Sequence, residues 1–212
     1  MSWLRLRWLP LAVLVAATAT LFASIAWTAG GATAWPTSGI VAPVAPVDGP
    51  VRDLDDAERA AERFAEQWGL GVGEVMRFDN GFYAELVDSA GNGATEVLID
   101  PQSGAVGLEW GPAMMWNTGQ GMHRGRGHGG GYSVGATISP DQARRIADAW
   151  LRANRPGEHA DQAEAFPGYY TLHTLRGDRV AGMLSVHATS GAVWYHSWHG
   201  RFIDMLDHSD AG

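Results

Sequence analysis

Methionine and histidine side chains cluster in two parts of the chain where they could bind a metal ion. One group lies within residues 114–128 and the other within residues 196–199. Thioether sulfur and imidazole nitrogen together form a ligand set suited to copper. The sequence therefore predicts one candidate metal site, with copper as its candidate ion and no other cofactor. The candidate ligands are Met114, Met115, Met122, His123, His128, His196 and His199.

The spacing of these residues limits how they can converge. On a regular strand, Met114 and Met115 would point to opposite faces, and so would His196 and His199. A turn or a helical twist must therefore bring each pair together. Metal binding by the histidines in the glycine-rich segment 118–136 would require ordering of a flexible backbone. This ordering costs about 1 to 2 kcal/mol of conformational free energy per residue.

A purely structural role is the competing interpretation of the same residues. Large apolar side chains would pack between two halves of the chain, and the histidines would form hydrogen bonds or face solvent. Whether or not a metal binds, packing of the two halves is expected to place His196 and His199 near residues 111–117. The structural interpretation also predicts that four side chains are largely buried, namely Met114, Trp116, Trp194 and Trp198.

None of the other motifs in the sequence provides a set of catalytic residues. Residues 131–135 read G-Y-S-V-G, but the nucleophile elbow that this pattern resembles needs a strand before it and a helix after it. None of the histidines is followed by glutamate, so the chain has no H-E-x-x-H metalloprotease helix. No carboxylate stands isolated in an apolar stretch, so the sequence nominates no general acid or base. We therefore expect a protein that is not an enzyme.

Composition excludes further classes of function. All 15 basic residues are arginine, so no lysine is present to form a Schiff base. The absence of cysteine removes disulfides and thiolate metal sites. The net charge of −8 repels nucleic acid, so nucleic acid is not an expected partner.

The N-terminus predicts a membrane anchor. Residues 8–29 carry no charge and are numerous enough to span a bilayer as a helix. Arg5 and Arg7 precede this segment, so the positive-inside rule places the N-terminus in the cytoplasm and the remainder outside. A cleaved signal peptide is the alternative, with a small-residue site at residues 32–34. The proline-rich residues 30–50 are typical of a tether.

Beyond the tether, the sequence predicts an α+β fold made of two tandem repeats. Gly81 and Gly168 are 87 residues apart, and so are Ser103 and Ser190, each within a similar local motif. In each repeat, one amphipathic helix precedes short strand-like segments separated by turn residues, which indicates a helix packed on an antiparallel meander. The predicted organisation is a stub and transmembrane helix at 1–29, a tether at 30–50, repeats at 51–117 and 137–204, a glycine-rich linker at 118–136 and a tail at 205–212.

Several segments of these repeats resemble PepSY domains, which also occur in propeptides of thermolysin-type proteases. The helix opening I-S-P-D-Q-A-R-R, a following aromatic strand and the D-P-x-S-G-A-V turn carry the resemblance. The segments G-P-A-M-M-W-N and Y-H-S-W-H-G-R-F-I resemble a subgroup of membrane-anchored bacterial PepSY proteins. Together they cover residues 52–117 and 138–202. The resemblance implies a non-catalytic module that binds and regulates a protein partner at the cell surface, such as a protease. Metal binding through the Met and His cluster is the alternative.

The predicted topology can be tested by proteolysis of spheroplasts. External protease should digest residues 51–204, because they follow the membrane segment on the extracytoplasmic side, and should spare the N-terminal stub. Epitope tags at the two ends would report both outcomes by immunoblot. Protection of the C-terminal tag in intact spheroplasts would contradict this orientation.

Overall fold

The computed structural model describes residues 49–121 and 137–206 as an α+β structure with two antiparallel sheets. These residues contain three helices and ten strands. The helices are α1 (Leu54–Glu66), α2 (Pro112–Met115) and α3 (Pro140–Asn154). The strands are β1 (Gly71–Phe78), β2 (Gly81–Val87), β3 (Gly93–Ile99), β4 (Val106–Leu108), β5 (His159–Ala160), β6 (Glu164–Phe166), β7 (Tyr169–Arg176), β8 (Arg179–His187), β9 (Val193–Tyr195) and β10 (Phe202–Leu206).

Helix α1 covers one face of the first sheet, whose strand order is β10-β1-β2-β3-β4. The Asp53 side chain caps its N-terminus by accepting a hydrogen bond from the backbone of Asp56 at 2.9 Å. Small alanines on the buried face of the helix let it lie close to the sheet, with Phe64 filling the space between them. Its main partners on the sheet are Val75, Phe82, Ala84, Leu86, Val97, Ile99 and Val106.

Helix α3 covers one face of the second sheet, whose order is β5-β7-β8-β9 with β6 also paired to β7. Ser139 and Gln142 form a capping box, and Pro140 occupies the first turn. The helix packs on this sheet through Ala143, Ala147, Leu151, Leu172, Leu184 and Val186. The predicted combination of α+β structure and antiparallel sheets is therefore confirmed.

The faces turned away from the helices contact each other. His173 on β7 lies 3.0 Å from Glu74 on β1, and the ring of Phe166 on β6 lies against Gly93 on β3. The described residues thus stack in four layers, helix, sheet, sheet and helix, with a sheet-to-sheet layer at the centre. Strand β10 strengthens this association, because it follows the second sheet in the chain but pairs with β1 of the first. It includes Leu206, within the segment that the sequence assigned to a tail.

Several details differ from the sequence-based expectations. Strand β9 ends at Tyr195, because the chain turns there toward β10, so His196 and His199 do not lie on a strand. Met114 and Met115 lie on the short helix α2 and not on a strand. Burial of Trp194 is a wrong prediction, since 38% of this residue is exposed, and Met114, Trp116 and Trp198 are only partly buried.

The predicted transmembrane segment, residues 8–29, lies outside the residues that the structure describes. Within residues 49–121 and 137–206, no helix has the length and apolar character needed to cross a membrane.

Candidate functional site

The central layer between the two sheets contains buried carboxylates. Side chains alternate along a strand, so Val97 on β3 and Leu108 on β4 face helix α1, while Glu96 and Glu109 face the second sheet. Glu96 and Glu109 are both completely buried. A buried charge is costly unless it is paired, so the groups around these carboxylates determine what the layer can do.

Two histidines reach this layer from the turn after β9. The backbone N–H of His196 donates to the carbonyl of Met183 on β8, which fixes the start of the turn. The turn then brings His199 back toward His196, their backbones joined by a hydrogen bond of 3.4 Å. This is the change of direction that the i, i+3 spacing requires if both imidazoles are to converge.

The hairpin between β1 and β2 holds the turn in place. The side-chain amide of Asn80 donates to the carbonyl of Trp198 and accepts from the N–H of Gly200, both at 2.8 Å. Asp79 accepts from the backbone N–H of Arg201 at 2.9 Å. A side chain at Gly200 would displace the carboxylate of Asp79, and glycine there leaves room for the close approach of the two turns. The histidine turn is therefore positioned by the first sheet.

Three nitrogen atoms lie close to one oxygen of Glu109. His199 Nε2 lies 2.7 Å from Glu109 Oε1, and the indole N–H of Trp198 donates to the same oxygen at 3.1 Å. His196 Nδ1 lies 3.2 Å from it but is not aligned for a hydrogen bond. The other oxygen, Oε2, is buried and has no hydrogen-bond partner among the described residues. Glu109, His196 and His199 each offer a ligand atom, and these atoms all lie within 4.8 Å of one another.

Supporting contacts fix the orientation of both imidazoles. His196 Nε2 lies 2.9 Å from the Ser185 hydroxyl, which in turn lies 3.0 Å from the Thr171 hydroxyl. The indole of Trp198 stacks on His196, with the ring centroids 4.7 Å apart. Phe78 stacks on His199 at 4.3 Å. Histidines that ligate metals are commonly held in this way, by a hydrogen bond from the nitrogen that does not bind the ion.

The three groups perturb one another electrostatically. Burial raises the pKa of Glu109, but the positive charge of His196 and the hydrogen bond and charge of His199 outweigh it and lower this pKa to about 2. Burial lowers the pKa of His196, whereas the adjacent Glu109 carboxylate raises it, and the net shift is upward. For His199 burial prevails over the hydrogen bond to Glu109, so its pKa is lowered.

Glu96 lies beside this group and has a different environment. One oxygen accepts a hydrogen bond of 2.8 Å from the Tyr83 hydroxyl, and the hydroxyls of Tyr169 and Thr171 also interact with this carboxylate. Burial and repulsion from Glu109 raise its pKa to about 7. The pKa values of the two neighbouring carboxylates are thus shifted in opposite directions. This is typical of a pair of acidic groups in which only one lies close to a cation.

The arrangement is suited to binding a metal ion. Two imidazole nitrogens and one carboxylate are typical ligands of zinc, and the same donor types bind iron(II) and copper(II). The side chains of His196, His199 and Glu109 are 0%, 4% and 0% exposed, so the group is closed to solvent. Such closure is characteristic of structural metal sites, whereas catalytic sites keep one coordination position open for water or substrate.

The predicted ligands fall into three sets. His196 and His199 converge, but on Glu109 and not on methionine. Met114 packs at the edge of the first core and Met115 is 49% exposed, so neither belongs to this group. The remaining three, Met122, His123 and His128, lie outside the described residues.

Glu96 and Glu109 were missed by the sequence-based reasoning, which found no carboxylate in an apolar setting. That conclusion is wrong, because the polar face of β3 and β4 is covered by the second sheet. A signal was present in β3, where Val97, Leu98 and Ile99 are consecutive apolar residues. Leu98 shares the inner face with Glu96, and an apolar residue on each face predicts a strand buried on both sides.

Comparison with known proteins identifies no relative: no family model, no curated protein and no solved structure matches the chain.

The half-buried Glu85, elsewhere in the central layer, should make stability depend on pH. Burial and the neighbouring carboxylates of Glu164, Glu96 and Glu74 raise its pKa to about 8. Between pH 5 and 8 the folded chain therefore keeps a proton that the unfolded chain loses, so the free energy of unfolding falls as pH rises, by at most about 1.4 kcal/mol per pH unit. Urea unfolding at several pH values should show that Glu85→Gln reduces this slope.

The exposed Glu62 on α1 provides the matched control. Glu62→Gln should leave the slope of stability against pH unchanged. Equal slopes for the wild type and Glu85→Gln would show that Glu85 is not protonated in the folded protein near neutral pH.

Proposed function

We propose that this chain is a non-catalytic, membrane-anchored binding protein that holds a divalent metal ion outside the cytoplasm at Glu109, His196 and His199. One observation carries the proposal: three ligand atoms lie within 4.8 Å of one another in a closed layer. The N-terminal sequence supports the location, since Arg5 and Arg7 precede an uncharged segment of membrane-spanning length.

Unpartnered atoms in the group support a cation in particular. Glu109 Oε2 and His196 Nδ1 are both buried, and neither forms a hydrogen bond among the described residues. Buried polar atoms are almost always partnered in folded proteins, and leaving one without a partner costs about 1 to 3 kcal/mol. A metal ion would satisfy an anionic oxygen and an imidazole lone pair together.

The ligand types favour borderline metals. Two imidazoles and a carboxylate suit zinc, iron(II) and copper(II), whereas copper(I) prefers sulfur ligands. The three grouped side chains offer only nitrogen and oxygen, and the predicted sulfur ligands Met114 and Met115 lie elsewhere. Copper thus stays a candidate ion in its oxidised form, and zinc is the simplest candidate because it needs no redox chemistry.

Closure of the layer supports a role in binding and not in catalysis. The side chains of His196, His199 and Glu109 are 0%, 4% and 0% exposed, so a substrate has no direct access to their ligand atoms in this arrangement of the described residues.

The PepSY resemblance supports a second candidate function, regulation of a protein partner at the cell surface. We propose that the two helix-and-sheet halves are tandem PepSY-like repeats. The sheet registers are consistent with a duplication: Ile99 pairs with Val106, and Val186 pairs with Val193, both members of the second pair lying 87 residues after those of the first. Such repeats occur in protease propeptides, so the expected partner is an extracytoplasmic protease.

Metal titration of the purified full chain tests the first function. Zinc should bind with a stoichiometry of one at this centre, as measured by competition with a chromophoric chelator. Glu109→Gln and His199→Ala should each weaken zinc binding by more than the roughly 10- to 100-fold expected from loss of a supporting residue. Both variants remove a ligand while leaving the two hydrophobic cores unaltered.

Two control variants separate this centre from other binding. His159→Ala removes an exposed histidine on β5, and Met115→Ala removes an exposed thioether. Neither should alter zinc affinity. If Glu109→Gln and His199→Ala bind zinc as tightly as the wild type, the proposed centre is wrong and Glu109 and His199 form only an ion pair.

The second function predicts inhibition of a protease. The full chain, added to a secreted thermolysin-type protease from the same cell, should slow peptide hydrolysis in proportion to its occupancy of the enzyme. A chain denatured in urea and diluted into the assay provides the control for competition by unfolded substrate. Unchanged hydrolysis at saturating concentrations of the folded chain would argue against regulation of this enzyme class.

A further inference from the structure

We propose that Thr171 and Ser185 are positioning residues of the metal centre, which leave Nδ1 of His196 available to bind the ion. They act as the middle of a chain of hydrogen bonds that begins at His196 and ends at the carboxylate of Glu96. This inference rests on the proposed metal-binding function and adds the residues that prepare one of the ligands.

The two imidazoles approach Glu109 through different nitrogen atoms. His199 Nε2 lies 2.7 Å from Glu109 Oε1, whereas it is Nδ1 of His196 that lies 3.2 Å from the same oxygen. Nε2 of His196 lies 2.9 Å from the Ser185 hydroxyl. A neutral imidazole that binds a metal through one nitrogen carries its proton on the other. With an ion at Nδ1, Nε2 of His196 is therefore a hydrogen-bond donor, and Ser185 must accept from it.

Strand register places the two hydroxyls side by side in the central layer. Thr171 on β7 pairs with Ser185 on β8, and their hydroxyl oxygens are 3.0 Å apart. Their neighbours along the strands, Leu172 and Leu184, pack against helix α3, so Thr171 and Ser185 face the first sheet. Both residues are buried. Each hydroxyl therefore needs its hydrogen-bond partners within the protein.

Glu96 determines the direction of the hydrogen bonds. Its carboxylate interacts with three hydroxyls, those of Tyr83, Tyr169 and Thr171. An ionised carboxylate can only accept, so Thr171 directs its hydrogen to Glu96. Because a hydroxyl has a single hydrogen, Thr171 then accepts from Ser185. Ser185 has likewise used its hydrogen, so it accepts from Nε2 of His196.

The environment of Nδ1 agrees with this direction. Nδ1 of His196 is buried and forms no hydrogen bond among the described residues, although it lies close to Glu109. The ring is held by Ser185 at one edge and by the stacked indole of Trp198, so it is not turned to donate to Glu109. A carboxylate behind a metal-binding histidine commonly fixes its orientation and tautomer. Here two hydroxyls connect that carboxylate to the imidazole.

Zinc affinity of variants of the full chain tests this role. Thr171→Val keeps the shape of the side chain but removes the hydroxyl, so Ser185 loses its acceptor and directs its hydrogen to Nε2 of His196. The imidazole proton is then favoured at Nδ1, where it competes with the ion. Competition with a chromophoric chelator should show binding at least about tenfold weaker in Thr171→Val and in Ser185→Ala. Thr171→Ser restores the hydroxyl and should bind zinc as the wild type does.

Thr95→Val provides the matched control. Thr95 is a completely buried threonine on β3, and Val97 on the same face of this strand packs against helix α1, away from the central layer. Its replacement should leave zinc affinity unchanged. The double variant of Thr171→Val and Ser185→Ala should bind no more weakly than Ser185→Ala alone, because both changes break one chain. Losses that multiply in the double variant would show independent packing effects and overturn the proposal.

Nitrogen-15 NMR of the metal-free full chain tests the direction of the hydrogen bonds without zinc. The signals of His196 are identified by their absence in His196→Gln. Nε2 should carry a directly bonded proton, detected by its one-bond coupling. An Nε2 without a bonded proton would overturn the chain of hydrogen bonds, and so would wild-type zinc affinity in Thr171→Val.

The two proposals fail in different ways. A wild-type chain that binds no zinc, while Nε2 of His196 carries its proton, overturns the proposed metal function. A wild-type chain that binds zinc while Thr171→Val binds it equally well overturns the positioning role alone. Thermal unfolding of each variant without metal shows whether it folds, and Thr171→Val serves by itself if Ser185→Ala does not fold.

Discussion

Burial of charged side chains between the two sheets is the constraint on which the rest of the structure depends. Each sheet has one apolar face covered by its own helix, so its other face must either meet solvent or find a partner. The inner faces carry Glu74, Glu96 and Glu109 on one side and His173 and His196 on the other. Their association is stable only if these charges are satisfied across the layer, since uncompensated buried charges cost several kcal/mol each.

This requirement explains how the chain is routed between the sheets. Glu74 pairs with His173, and Glu109 receives both histidines of the turn after β9. Asn80, in the hairpin of the first sheet, forms hydrogen bonds to the same turn. The first sheet therefore positions both the Glu109 carboxylate and the imidazoles that contact it. Strand β10 then adds to the first sheet, which makes the C-terminal part of the chain a structural element of both halves.

Local sequence patterns were sufficient for the helices and most strands. The apolar periodicity of α1 and α3 and their capping residues lie within short segments, so their physics can be evaluated without the rest of the chain. The pairing of β10 with β1 depends on segments more than a hundred residues apart, and no local pattern encodes it. Trp194 was expected to be buried because it is large and apolar, but it lies on edge strand β9.

The candidate site was only half accessible to sequence analysis. His196 and His199 stand out by residue type, whereas Glu96 and Glu109 resemble the polar positions of an ordinary half-exposed strand. Their burial arises from the second sheet, so it is a property of tertiary structure. Methionines that lie close to histidines in the sequence suggested a sulfur-containing copper site. In the structure, Glu109 is the side chain that contacts both imidazoles.

X-ray absorption spectroscopy of the zinc-loaded full chain would identify the ligands of the ion, because it reports the atoms around it. A centre formed by Glu109, His196 and His199 should show only nitrogen and oxygen neighbours at about 2.0 to 2.2 Å, with the outer-shell scattering of two imidazoles. Sulfur in the first coordination shell would contradict this assignment, since Glu109, His196 and His199 offer only oxygen and nitrogen. A spectrum without imidazole scattering would contradict it equally, because His196 and His199 could not then be the ligands.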